Sequence, residues 1–162
     1  MPSPTQKGSI AEAVIAAEAT KVGVIVLRPI VEGRRYDLMF DVDGLLLRVQ
    51  CKWAARRGNV IVVHTRTTRL TPKGYVRTTY AAGEIDAIAA YCADVNECFL
   101  LPVEDVAGKQ VVHLRLAPAS NNQELAIKYA AAYKMRGAIA QLGERRAGSA
   151  KVGGSSPPGS TE

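Results

Sequence analysis

The dipeptide Asp43-Gly44 constrains this chain more than any other feature. A two-residue turn between antiparallel strands needs positive φ at both central positions, and Asp-Gly tolerates that backbone. Apolar residues flank it on both sides, so it predicts strands over residues 36–42 and 45–53, with Val42 opposite Leu45. Counting outward places Asp37 opposite Gln50. Residues directly across an antiparallel pair project to the same face, and Lys52, two residues further on, shares it. The pattern thus gathers an acid, a side-chain amide and an ammonium. Asp41 points the same way but pairs with Leu46, roughly 13 Å along the strand from Asp37 at about 3.3 Å per residue. Asp37 is therefore the better partner. A bulge would shift the register by one and dissolve the group.

Other elements follow from period and punctuation. Ile10, Ala13, Val14 and Ala17 recur at helical spacing, predicting a helix from Ile10 to about Val22, with Ser9 and Glu12 as its capping box and Gly23 as its stop. Residues 24–31 form a β-branched run that reads as a buried strand. The basic segment 54–58 is expected to break the strand that starts at Leu45. A further strand spans 59–65 and runs into the polar stretch 66–73, with a turn at 72–74. Residues 83–93 read as a short helix, 98–103 and 110–116 as strands, and 121–136 as a last amphipathic helix. This order describes a mixed α/β domain over residues 1–136, a central sheet flanked by helices. From 137 to 162 the composition turns to Gly, Ser and Pro, the mark of a disordered tail.

Composition narrows the function classes. A hydrophobic fraction of 48% suffices for a core, and a net charge of +6 with pI near 9.4 favours a polyanionic partner, nucleic acid above all. No apolar run is long enough for a membrane helix. Glu12 and Glu18 interrupt the Ala-rich N-terminal stretch, which argues against a signal peptide. Three cysteines, Cys51, Cys92 and Cys98, without a close pair, argue against a disulfide framework or zinc knuckle and point to reduced core thiols in the cytoplasm. Arg34, Arg35, Arg56, Arg57, Arg66, Arg69, Lys73 and Arg77 gather around the expected sheet and its loops. Singly each is a solvated charge. Interleaved with Thr65, Thr67, Thr68 and Tyr75, the later cluster suits contacts to double-stranded DNA.

The chemistry of the Asp37 group fits hydrolysis of such a polymer. A phosphodiester needs a divalent cation to neutralise its charge and to activate water. Mg²⁺ takes hard oxygen donors. Asp37 offers a carboxylate, Gln50 an amide oxygen and Cys51 its main-chain carbonyl. Lys52 would orient the attacking water or stabilise the pentavalent transition state. Glu12 would add a second carboxylate, or serve only its helix cap. Trp53 and the tyrosines read as packing.

A helix carrying a glutamate, a strand with Asp, a hairpin and an x-x-Lys strand together resemble the PD-(D/E)xK nucleases. The likeness is nearest to the group I intron-associated homing endonucleases, in which a glutamine precedes the lysine. It rests on Ser9-Ile10-Ala11-Glu12-Ala13, Tyr36-Asp37-Leu38 and Val49-Gln50-Cys51-Lys52. Gly83-Glu84-Ile85-Asp86 and Cys98-Phe99-Leu100-Leu101-Pro102-Val103 extend it, so that it covers about residues 8–136. The resemblance implies a restriction-endonuclease-like fold and Mg²⁺-dependent cleavage of a long DNA site by a homo-oligomer, a dimer or tetramer. A Holliday-junction-type nuclease and a DNA-binding module with a lapsed site are the alternatives. Two departures from the family pattern stand out: no proline precedes Asp37, and Gln50 replaces a carboxylate. Residues 137–162 also resemble a conceptual translation of a tRNA gene, as a mobile element lodged there would leave.

Overall fold

The computed structural model describes residues 1–118 and 126–152. The chain opens with α1, Pro4–Lys21, which starts earlier than expected. Its capping box is formed by Ser3 and Gln6: the Ser3 hydroxyl accepts the Gln6 N–H at 3.3 Å, and Gln6 Oε1 accepts the Ser3 N–H at 2.8 Å. Pro4 sits in the first turn, where its missing N–H costs nothing. Ser9 and Glu12 are thus interior residues, and the Ser9 hydroxyl bonds back to Thr5 O. Ala11, Ile15 and Ala19, one helical turn apart, form the fully buried stripe. Gly23, with positive φ, follows the helix end as expected.

The expected strand over 24–31 shrinks to β1, Ile25–Leu27, which pairs with β2, Leu38–Val42. Pro29 offers no N–H for a ladder, and Ile30 is fully exposed. Then the turn brings in β3. Asp43 and Gly44 take φ of 52° and 87°, and β3, Leu45–Arg57, pairs with β2 from Val42↔Leu45 to Leu38↔Val49. The register is the one that the turn dictates. Strand β3 runs on through the basic segment, because its last residues pair with β4, Val60–His64, as Arg57↔Val60 to Ala55↔Val62. The break falls at Gly58-Asn59.

Next come β5, Arg66–Thr71, and β6, Gly74–Thr79, a two-stranded ribbon apart from the main sheet. The expected helix over 83–93 is instead β7, Ala87–Cys92, parallel to β3 and antiparallel to β8, Glu97–Pro102. All six β7 residues are buried. A strand covered on both faces shows no alternation, and its alanines mimic a helix. A one-turn helix α2, Val103–Val106, precedes β9, Val111–Arg115, which pairs with β4. The seven strands other than β5 and β6 form one mixed sheet.

Of the helix expected over 121–136, residues 121–125 lie outside the described residues. The remainder holds a 3-10 turn, Ala130–Tyr133, rather than an α-helix, after Ala126 at φ 66°. Helix α3, Met135–Val152, occupies much of the expected tail. Met135, Ala138, Ile139 and Leu142 bury against the sheet, so residues 137–149 are neither patternless nor loose. Residues 153–162 lie outside the described residues.

Two apolar layers result. One joins α1 and α3 to Leu38, Phe40, Leu47, Val49 and Cys51. The other, on the opposite face, joins Ala54, Ile61, Ile88, Ala90, Phe99 and Leu101. Trp53 packs edge-on to Tyr91, with ring centroids 5.6 Å apart, and all three cysteines are free and buried. No helix among the described residues is long and apolar enough to cross a membrane.

Candidate active site

Alternation along β3 sends Leu47, Val49 and Cys51 into the layer under α1, which leaves Arg48, Gln50 and Lys52 on the other face. Asp37 lies one residue before β2, where the regular pairing ends at Leu38↔Val49; its N–H donates to Val49 O at 3.0 Å, a bulge-like contact that still leaves its side chain over β3. Its side chain therefore meets Gln50. Asp37 Oδ2 accepts Gln50 Nε2 at 2.6 Å and the Cys51 N–H at 2.9 Å. Gln50 Nε2 is also 3.4 Å from Cys51 O. These contacts bring together the carboxylate, the amide and the main-chain carbonyl singled out from the sequence. Asp41 does something else: its Oδ1 accepts the Gly44 N–H at 2.7 Å and so caps the turn.

Lys52 is half-buried. Its Nζ donates to Arg66 O at 2.9 Å and lies 5.5 Å from the Tyr80 ring centroid. Burial lowers the lysine's pKa; the Asp37 charge opposes this and the Arg35 charge adds to it. Burial likewise raises the Asp37 pKa, against the pull of the Cys51 N–H, Lys52, Arg28 and Gln50. The site thus holds two charges that its own surroundings resist, a common signature of functional positions. The Cys51 thiol is turned into the core and pushed well above its ordinary pKa by burial. Its main chain alone serves the site, the N–H bonded to Asp37 and the carbonyl near Gln50 Nε2.

Glu12 projects from α1 toward the same region but pairs with Arg28. Glu12, Arg28, Arg34, Tyr36 and Asp37 line one open cavity of about 210 Å³. Among the described residues no three His, Cys, Asp or Glu side chains converge as a metal cluster. The donor set here is one carboxylate, an amide and a carbonyl, with a second carboxylate across the cavity. Those hard oxygens suit a Mg²⁺-like ion that retains several waters.

The basic residues divide. Arg69, Lys73 and Arg77 are exposed on the β5–β6 ribbon, and Arg34 is exposed beside the cavity. Arg35 is engaged: it bonds Thr78 Oγ1 at 3.2 Å, Thr79 O at 3.0 Å and Glu84 Oε2 at 3.0 Å, and lies over Tyr80. It braces the ribbon's base instead of offering a free charge. Arg66 reaches Gln110 Oε1 at 3.3 Å. Arg56 and Arg57 stand at the far end of β3, roughly 15 Å from Lys52 at about 3.3 Å per residue. Arg56 bonds Gly58 O through its side chain and Asp94 through its N–H.

Several participants escape a reading of spacing alone. Arg28 ends an apolar run, Tyr80 lies beyond the ribbon, and the Arg48–Asp86 pair, 3.1 Å apart, ties β3 to the start of β7. Arg28 and Glu12 are 16 residues apart in sequence and Arg48 and Asp86 are 38 apart, beyond the reach of local periodicity.

The profile of a family described as PD-(D/E)XK endonuclease matches residues 3–136. Among solved structures, a bacterial homing endonuclease, I-Ssp6803I, superposes with a TM-score of 0.71 at 27% identity, covering 93% of this chain and 99% of that one. No curated protein matches the sequence.

Proposed function

The chain belongs to the PD-(D/E)XK endonuclease family, and from that premise we propose that it is a divalent-metal-dependent, site-specific DNA endonuclease of the homing type. The observation that carries this reading is the Asp37–Gln50–Lys52 face, with Asp37 Oδ2 at 2.6 Å from Gln50 Nε2. Asp37, Gln50, the Cys51 carbonyl and Glu12 are the groups that would hold Mg²⁺. The ion supplies charge neutralisation at the phosphate and a water of lowered pKa. Gln50 in place of a carboxylate removes one negative charge and weakens the hold on the cation. Because Asp37 Oδ2 is occupied by two N–H donors, Oδ1 is its freer oxygen. Lys52, anchored on Arg66 O, has N–H protons left to orient the attacking water and to meet charge building on the phosphate.

The β5–β6 ribbon is the DNA-reading element of this proposal. A two-stranded ribbon fits the major groove, and here it carries exposed Thr68, Arg69, Lys73, Tyr75 and Arg77. Each chain brings one Asp37–Lys52 group, so double-strand cutting calls for at least two copies. The likeness to a homing endonuclease supports the site-specific reading over a junction-resolving one.

The experiment compares cleavage with and without Mg²⁺ on linear duplex carrying an intact tRNA gene and on a four-way junction. Metal-dependent cutting of the duplex at one place is the expected result. Cutting confined to the junction would replace homing with resolution, and binding without cutting of either would favour a lapsed site.

A further inference from the structure

Arg28 touches one acid of the site and shares a cavity with the other. It bonds Glu12 and stands close enough to Asp37 to pull that carboxyl's pKa down, and all three line the same cavity. The cavity that these two carboxylates share is where a divalent ion is wanted. The pair is also cheap to open. Arg28 keeps 58% of its side chain exposed and Glu12 28%, and a solvated ion pair of this kind contributes little to stability. Arg28 directly follows β1 and begins the loop that leads to Asp37, so it can turn without disturbing the sheet.

We propose that Arg28 is an exchangeable resident cation: it holds Glu12 in the free protein and passes to the DNA phosphate when a divalent ion takes the acids. This rests on the metal-site reading above and adds a residue and a sequence of events to it. In the free protein the guanidinium occupies a Glu12 oxygen and repels incoming cations. When DNA arrives with the ion, the phosphate offers the guanidinium a bidentate partner at least as good as Glu12. Cation binding and DNA binding thereby support one another, and an ion without DNA is held weakly.

The test measures Mn²⁺ binding to the full chain without DNA by titration calorimetry, in the native protein, Arg28→Ala, Glu12→Gln and the double variant, with circular dichroism to verify folding. Arg28→Ala is expected to bind Mn²⁺ roughly fivefold more tightly, the scale on which a nearby like charge acts close to a surface. The gain should vanish in the Glu12→Gln background. Affinity of Arg28→Ala for duplex DNA in Ca²⁺ should fall about tenfold. Arg28→Gln, which keeps bulk and drops charge, replaces the alanine variant if that one does not fold. Unchanged or weaker Mn²⁺ binding on loss of the charge overturns the exchange. Asp37→Ala separates the two levels. If it binds Mn²⁺ like the native protein, the metal site itself is wrong and the exchange falls with it. If it loses Mn²⁺ while the Arg28 variants show no gain, the exchange alone is wrong.

Discussion

The Asp37–Lys52 face and the β5–β6 ribbon touch each other yet are built on opposite terms. Lys52 donates to Arg66 O, the first residue of β5, and Arg35 braces Thr78 and Thr79 on the partner strand at that same end. The Asp37–Lys52 face lies on β3, held between β2 and β7, and its polar groups are half-buried, with Gln50 bonded to Asp37. The ribbon pairs only with itself, and every residue in it is exposed or half-exposed. Chemistry needs reacting groups fixed to within a fraction of an ångström, which a packed strand provides. Under the proposed function, recognition of a long DNA site needs reach and adjustment, which a ribbon paired only with itself would provide. The Lys52–Arg66 bond joins the two, so under the proposed function a shift of the ribbon on DNA would reach the lysine directly.

If that division is right, changes on the two sides separate binding from cutting. The largest effect is expected from Lys52→Ala: single-turnover cutting at saturating DNA should fall on the order of 10²–10³-fold, with the dissociation constant in Ca²⁺ little changed. A comparable loss of DNA binding would merge the two regions. The combined Arg69→Ala and Arg77→Ala change should do the reverse. Affinity should drop roughly tenfold and the salt dependence of binding should flatten by about two ions, while cutting at saturation stays near native. A smaller effect, of the opposite sign, concerns stability. The Asp37 pKa is raised by burial, so its contribution to stability is full below the ordinary aspartate pKa and is lost as pH rises through the raised value. The Lys52 pKa is lowered, so its contribution is full above the ordinary lysine pKa and is lost as pH falls through the lowered one. Burial thus works against the charged form of each group. Asp37→Asn keeps an oxygen for the Cys51 N–H and should melt at an equal or higher temperature than the native protein at pH 7, while losing its cutting. Loss of melting temperature would show the carboxylate to be a structural asset rather than a functional burden.

Much of the site was legible because one turn dictates it. Asp43-Gly44 sets the β2–β3 register as far as Leu38↔Val49, and although regular pairing stops there, the Asp37 side chain still reaches Gln50 and the Cys51 N–H. The glutamate was legible as a residue but not in its role: Glu12 sits inside α1 and its partner Arg28 lies across the fold. Arg35 showed its charge in the sequence, but the ring and carbonyls that engage it come from the other side of the ribbon. Strand β7 hid because both its faces are covered. Helix α3 hid because its three glycines interrupt the pattern that Met135, Ala138, Ile139 and Leu142 carry, and only packing against the sheet shows that spacing to matter. The family profile ends at Arg136, whereas the structural likeness spans 93% of the chain and so reaches beyond it. Arg146 of α3 contacts Glu104 and approaches Asp86, the partner of Arg48.

The measurement closest to the central claim is the anomalous scattering of Mn²⁺ in crystals of the protein bound to duplex DNA. The account expects a peak at ligand distance from an Asp37 carboxylate oxygen and the Cys51 carbonyl, with Lys52 Nζ beside the bound phosphate. A peak on Asp41 or Asp86, with Asp37 still holding Gln50 and nothing else, would contradict it.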